Sequence, residues 1–447
     1  MGRSAGGIGL VAALFLGLGT VDLAAEPEAD GVERYELENG LKVRLLPIAN
    51  AKSVAVLVLY DVGEAHDPEG KSGLAHLTEH CYVTCAAGET PARTARAMMA
   101  AYPSAWNAQT GRDYTVIAFV APAAGLEREL KDAAARMGDL KITEADLERE
   151  KPRMVEELRN MYGRVPVLAA VNHGRAAVFP AAPGARKGGV VEQIQAMTVE
   201  DVRGHHEAYY RPRNARLVLV GAFDSAAART HVAKAFGSIP GGEPLPAPRA
   251  PAAASSDRRA RIALEDAFPG TSSQVCLARR APTPDAATYA PFLILIRRLF
   301  QAQDPSAAAA PKVVYSLLDA PEVLFLTASI GEGGEPDAAA AKLQKHLDLV
   351  GEKALTPVER FQTAQMFAYQ LGTFPIPLHM RGNNPYGTAF AIARCEQLAI
   401  DGKALSTRIQ AVTDAELRLA ATSLFARANG ADLVLAAAGD PEPAGNR

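Results

Sequence analysis

Between Gly73 and Cys85 the chain reads GLAHLTEHCYVTC, which places His76, Glu79 and His80 within five residues. The whole chain has only 9 histidines in 447 residues, so two of them this close together need a reason. From Gly73 onward the pattern turns helical, and on a helix residues four apart stack on one face. His76 and His80 can therefore present two imidazoles to a single ion, as a zinc site requires. Glu79 lies one position before the second histidine, shifted round the helix but near enough to take a proton from a water activated there. The order is H-x-x-E-H, the inverse of H-E-x-x-H. The rival reading is a pair of surface or capped histidines on a charged helix, and the spacing disfavours it.

A hydrolytic zinc site takes three protein ligands and keeps one position open. Downstream, EREKPRMVEE (residues 148–157) offers Glu148, Glu150, Glu156 and Glu157 on one predicted helix. Glu150 and Glu157 are two turns apart and share a face. Acidic runs of this kind are commonly solvated faces, so the residues by themselves leave the third ligand open.

Around this stretch the composition narrows the function classes. The net charge is −3, from 47 basic and 50 acidic residues, and aromatic residues make up 6%. That balance gives no electrostatic case for nucleic acid or an acidic membrane, and few platforms for stacking bases. A length of 447 residues with 48% hydrophobic side chains predicts two or three domains with substantial cores. At the N-terminus, Arg3 precedes the apolar run Ile8–Gly19 and then LAAEPEA, so residues 1–25 read as an export signal cleaved near Ala25, the alternative being an uncleaved anchor because Leu23 suits a cleavage site poorly. The expected location is the periplasm or another exported space, with no membrane span after signal removal. Cys81, Cys85, Cys276 and Cys395 are too few for a disulfide scaffold. Cys81 and Cys85 lie four apart on one helix, where a bridge is awkward, and read as two buried thiols.

The element order points to a duplicated α+β chain. YELENGLKVRLLPI reads as two short strands around Asn39-Gly40, and SVAVLVLYDVG as a longer one. SAWNAQTGRDYTVIAFVA alternates like a pair of edge-forming strands, and amphipathic helices follow to residue 162, with Pro152 inside the last. Residues 33–240 form an N-terminal metal-bearing domain on this reading. Residues 241–257, within the Pro-, Ala- and Ser-rich stretch PGGEPLPAPRAPAAASSD, form a linker. Residues 258–445 form a C-terminal domain in which the order restarts. The ending DAELRLAATSLFARANGADLVLAAAGD echoes VEDVRGHHEAYYRPRNARLVLVGAFD: helix, polar break, apolar strand, Gly, Asp. The expected architecture is two similar domains from an internal duplication, each a mainly antiparallel sheet packed with helices, forming a clamshell.

GLAHLTEH, followed by NAQTGRDYT and then EKPRMVEE, resembles the pitrilysin (M16) family of inverted-motif zinc peptidases, in a short form like the mitochondrial processing peptidases. The resemblance implies a zinc-dependent endopeptidase binding one Zn²⁺ through His76, His80 and Glu157, or Glu156 if the register is one residue shorter. It further implies Glu79 as the catalytic base, Glu150 as the accompanying acid, and Asn107 and Ala108 on an edge strand beside a peptide substrate. Two departures stand out. Cys85 occupies a position where the family usually has glycine. Active relatives also carry an Arg-x6-Tyr pair in the second half; here Tyr315 is the matching tyrosine, but Ala308 stands for the arginine and Lys312 is out of register. The implied partner is a second M16-like subunit supplying that pair, or a homodimer. The rival in another class is a non-catalytic binding or assembly subunit that retains the metal motif.

Overall fold

The computed structural model describes residues 31–102, 106–180, 182, 184–243, 245, 258–264, 272–302, 311–318, 322–330, 334–371 and 384–437. The export signal at 1–25 and most of the linker at 241–257 lie outside the described residues, as does position 308. Thirteen strands are described: β1 (Glu33–Glu36), β2 (Lys42–Pro47), β3 (Ser53–Tyr60), β4 (Ala86–Ala87), β5 (Trp106–Thr110), β6 (Thr115–Pro122), β7 (Leu140–Lys141), β8 (Ala215–Gly221), β9 (Arg258–Leu264), β10 (Gln274–Arg280), β11 (Lys312–Val314), β12 (Val323–Ser329) and β13 (Gly430–Ala437). The helices that matter below are α1 (Leu74–Thr84), α2 (Ala95–Ala101), α3 (Leu126–Gly138), α4 (Glu144–Leu158), α5 (Pro166–Val178), α6 (Val191–Ala196), α7 (Val199–Tyr209), α8 (Ser225–Phe236), α9 (Tyr289–Gln301), α10 (Pro336–Val350), α11 (Pro357–Gln370) and α12 (Pro385–Gln397).

The duplication is visible in the sheets. The first has the order β1-β2-β8-β3-β6-β5 and the second β11-β12-β10-β13-β9. In the first, β2 runs parallel to β8, while β8–β3, β3–β6 and β6–β5 are antiparallel. In the second, β9 runs parallel to β13, and β13–β10, β10–β12 and β12–β11 are antiparallel. Read from the parallel pair outward, the two sheets have the same topology. The fold class is therefore α+β with two similar halves. Of the two strands expected as edges, β5 lies at the sheet's edge, whereas β6 is interior, between β5 and β3. Its near-continuous apolar run, TVIAFVA, fits that inner place better than the alternation suggested.

Both sheet faces are covered, and the halves share the covering. On one face of β3, Val54, Val56, Val58 and Tyr60 pack with Leu130 and Met137 of α3 and Val232 and Phe236 of α8. On the other, Ala55, Leu57 and Leu59 pack with Ala389 and Ala393 of α12, a helix from the second half. The second sheet repeats the arrangement. Val275 and Leu277 of β10 face α9, while Cys276 and Ala278 face Ala169 and Ala170 of α5, a helix from the first half. Small residues make this exchange possible: a Cβ added at Gly174 of α5 would stand 2.9 Å from the Phe325 ring. Each half thus lends one helix to the other's sheet, which joins them through apolar contact as well as through the chain.

Candidate metal centre

α1 lies in the first half under β5. Gly73 is its N-cap at φ +101°, a conformation that favours glycine, and it offers no side chain to cap the helix. Asp67 serves instead, accepting the Gly73 and Ala75 amide N–H groups at 2.7 and 2.8 Å. Burial pushes the Asp67 carboxyl up to about 7, against the pull of those amides. α4 is N-capped by Thr143, whose hydroxyl accepts the Asp146 amide in a reciprocal capping box. Its apolar side chains Leu147, Met154, Val155 and Leu158 pack on Leu74, Leu77, Cys81 and Cys85 of α1 and its C-cap. This packing sets the acidic positions of α4 beside the histidines of α1. The predicted helix to residue 162 ends earlier as α-helix, at Leu158, and continues as a π-helical turn over Arg159–Gly163.

Ligand atoms of His76, His80 and Glu157 all lie within 4.8 Å of one another. His76 Nε2 is 3.8 Å from Glu157 Oε1, and His80 Nε2 is 3.5 Å from Glu157 Oε2. Zinc bonds of about 2.0–2.1 Å to nitrogen and oxygen give a tetrahedral edge of roughly 3.3 Å, so this donor set fits Zn²⁺ after a small contraction. Glu156 and Glu148 are exposed and stand outside the group. Glu150 is fully buried and backs the site: its Oε2 is 3.5 Å from His80 Nδ1, on the ring edge away from Glu157. It also accepts from Thr84 Oγ1 at 2.9 Å, Arg149 Nε at 2.9 Å and Arg153 at 2.9 Å. A carboxylate on the far nitrogen fixes a ligating ring's tautomer and orientation.

The electrostatics follow from burial among unlike charges. Burial and the neighbouring His80 push His76 down to about 4. Burial also acts to lower His80, but the Glu150 and Glu157 carboxylates outweigh it and hold the imidazole up at about 9. Burial would raise Glu157; the two histidines overcome it and hold that carboxyl well below its usual range. Two imidazoles and a carboxylate kept ionised beside them form a donor set suited to a divalent cation.

Glu79 is 6% exposed on the same helix, and its Oε2 accepts the Thr110 hydroxyl at 2.6 Å. Burial lifts its carboxyl to about 7, against the opposing pull of His80 and Thr110. Asn107 and Ala108 lie on β5, where the Asn107 amide donates to the Tyr386 hydroxyl of α12 at 2.7 Å and Ala108 packs on the first core. Tyr315 follows β11 and meets the Phe292 ring edge-on at 5.2 Å, in the second half's core. The structure thus brings together His76, His80, Glu157, Glu79 and Glu150, and sets Asn107 and Ala108 on the adjoining edge strand. Thr110 and Asp67 were not singled out by sequence. Thr110 lies in the NAQT stretch with no spacing signal of its own, and Asp67 stands six residues ahead of the helix cap, beyond the reach of the usual capping pattern. Cys81 and Cys85 are free thiols and fully buried.

Two family models match the chain: Insulinase (Peptidase family M16) over residues 43–177, and Peptidase M16 inactive domain over residues 196–308. Zinc protease PqqE from Helicobacter pylori is 30% identical over an aligned stretch of 232 residues that covers 49% of this chain and 49% of that protein, so the likeness spans about half of the relative's length. Among solved structures, a protease from Helicobacter pylori matches with a TM-score of 0.72 at 20% identity, covering 92% of this chain and 99% of that one. A peptidase M16 inactive domain from Pseudomonas fluorescens matches with a TM-score of 0.70 at 16% identity, covering 92% and 99%. At these identities the structural matches speak for the fold. With two models of one family along its length and an inverted zinc motif folded into a three-ligand cluster, the chain belongs to the M16 family of peptidases.

Proposed function

We propose that the chain is a zinc-dependent endopeptidase that hydrolyses peptides or small unfolded proteins. The observation that carries this reading is the buried Glu79 carboxylate, held by Thr110 on the same helix as the two imidazoles that converge on Glu157. Zinc, when bound by His76, His80 and Glu157, supplies the Lewis acidity that activates water near neutral pH and polarises the scissile carbonyl. Glu79 accepts the proton of the attacking water and returns it to the leaving amine. Glu150 keeps the His80 ring in register. The β5 edge adjoining α1 suits an extended peptide, which would pair its backbone with the strand whatever its side chains.

The Zn²⁺ complement is one per chain, and the location is periplasmic or otherwise exported, in keeping with the N-terminal apolar run. The arginine position of the second half is Ala308. A second M16-like subunit, or a second copy of this chain, therefore supplies the missing Arg/Tyr grip, and this chain acts as the catalytic member of the pair. Efficient cleavage by the isolated monomer would refute that assignment. The rival reading, a non-catalytic subunit that keeps its metal, draws on the match of residues 196–308 to an inactive domain. The test is cleavage of a quenched, unstructured peptide library by the purified full chain, before chelation, after it, and after zinc is restored. Cleavage that disappears and returns with the metal supports the peptidase; a protein that holds one zinc and stays inert both alone and with an M16-like second subunit added supports the rival.

A further inference from the structure

Among the described residues, Glu79 is held by one side chain from outside its own helix, and that side chain sits at the end of a strand the second half grips. Thr110 is the last residue of β5, 5% exposed, with its hydroxyl 2.6 Å from Glu79 Oε2. The turn that follows, Gly111–Tyr114, is bonded to the second half at successive residues. Arg112 donates to Glu322 Oε1 at 2.5 Å, and Glu322 Oε2 accepts from Arg175 at 2.8 Å. The Asp113 carbonyl accepts from Gln397 at 2.7 Å, and its carboxylate lies 3.2 Å from the Arg394 guanidinium. Arg394 also covers the Tyr114 ring at 4.2 Å. At the other end of β5, Asn107 bonds Tyr386. The first half grips the same turn through its backbone, since the Glu64 and Ala65 amides donate to the carbonyls of Gly111 and Arg112 at 3.1 and 2.7 Å.

We propose that Thr110 is a positioning residue for Glu79, and that the second half, which has no metal motif, contributes to the chemistry by holding the turn that carries Thr110, chiefly through Glu322. This rests on the peptidase reading above. A carboxylate with several rotamers on a helix needs an outside contact to keep one orientation, and a displacement of about 1 Å in a reacting group can cost on the order of 100-fold in rate. Glu322 is the joint where this hold is strongest, because one carboxylate ties Arg112 of the turn to Arg175 of α5, the helix packed on the second sheet. The backbone grip from residues 64 and 65 limits what its loss can do.

The experiment uses the full zinc-loaded chain with Thr110→Val, Thr110→Ser, Glu322→Gln and the double variant Thr110→Val/Glu322→Gln. Four quantities are read: zinc content, kcat and KM on a quenched peptide, and the Glu79 side chain in crystal structures. Thr110→Val is expected to lower kcat about 10- to 100-fold with zinc content and KM within about twofold, and Thr110→Ser to restore most of it. Glu322→Gln should lower kcat less, about 3- to 10-fold, and add nothing to Thr110→Val, because both act through the same contact. An unchanged kcat in Thr110→Val, a serine that fails to rescue, or loss of zinc would overturn the positioning role. Additive effects in the double variant would overturn the part given to Glu322. If the zinc-bound wild type is inert even with an M16-like second subunit added, the peptidase reading falls. The positional claim is then decided by the crystal structures: a Glu79 carboxylate displaced in Thr110→Val but not in Thr110→Ser upholds it, and one that superposes in all of them overturns it.

Discussion

Gly189→Ala is expected to be among the most damaging single-methyl additions in the protein, and to act on the metal centre from outside it. Gly189 has φ +105° and lies against the start of α1. A Cβ there would stand 2.5 Å from Gly73 Cα, 2.6 Å from the Ser72 carbonyl oxygen and 2.8 Å from the Gly73 nitrogen. All three are backbone atoms, and carbon contacts are comfortable only at about 3.5–4.0 Å. The left-handed backbone costs an alanine about 1–2 kcal/mol, and overpacking of this kind adds about 1–3 kcal/mol. The sum of about 2–5 kcal/mol is a large share of the roughly 5–15 kcal/mol that keeps a domain folded. Relief requires the first turn of α1 to retreat from Gly189, and His76 lies in that turn, so zinc affinity should fall along with stability. Gly70→Ala is the control: it has φ +76° but nothing within 4 Å of the added methyl, so only the backbone term applies. Denaturant unfolding of both variants, with zinc affinity from chelator competition, makes the comparison. A Gly189→Ala protein within about 1 kcal/mol of Gly70→Ala, with zinc affinity unchanged, would mean that the added methyl is accommodated without moving α1.

Other predictions follow from single contacts. Glu150→Gln removes the charge behind His80 without emptying its site, and zinc affinity should fall about 10- to 100-fold in chelator competition while the fold persists. His205 is buried with no hydrogen-bond partner on either ring nitrogen among the described residues, and burial, aided by His66 and His206, lowers its imidazole to about 3. Below its ordinary value of 6.5 the unfolded chain therefore takes up a proton that the folded one refuses, and stability is lost as pH falls from 6.5 towards 3. His205→Leu abolishes that uptake: relative to its standing at pH 7.5, the variant should gain about 2 kcal/mol on the wild type at pH 5, read from paired denaturant curves. Cys81 and Cys85, both 0% exposed, should resist a thiol reagent in the native protein and react only on unfolding.

The metal cluster was legible because helical periodicity turns a spacing of four into a shared face, and a spacing of seven does the same for Glu150 and Glu157. The duplication showed for a similar reason, since helix, break and apolar strand recur at 199–221 and 414–437. The choice of Glu157 over Glu156 came from family resemblance, and its physical cause appears only in the packing. Leu147, Met154 and Leu158 turn one face of α4 onto α1, which carries Glu157 inward and leaves Glu156 outside. The exchange of α5 and α12 between the halves was not legible. Their alanines, such as Ala169, Ala170, Ala389 and Ala393, suit any close helix–sheet contact, and nothing local says which sheet they will meet. Thr110 was hidden for the same reason: its role depends on a contact between a strand end and a helix 31 residues away in sequence.

The central claim is that His76, His80 and Glu157 hold zinc while Glu79 moves the proton. The most direct test is the turnover of Glu79→Gln measured together with its zinc content. Glu79→Gln is expected to hold one zinc per chain, as in the wild type, and to cleave an unstructured peptide at least about 100-fold more slowly. A variant that holds its zinc and cleaves at the wild-type rate would contradict it.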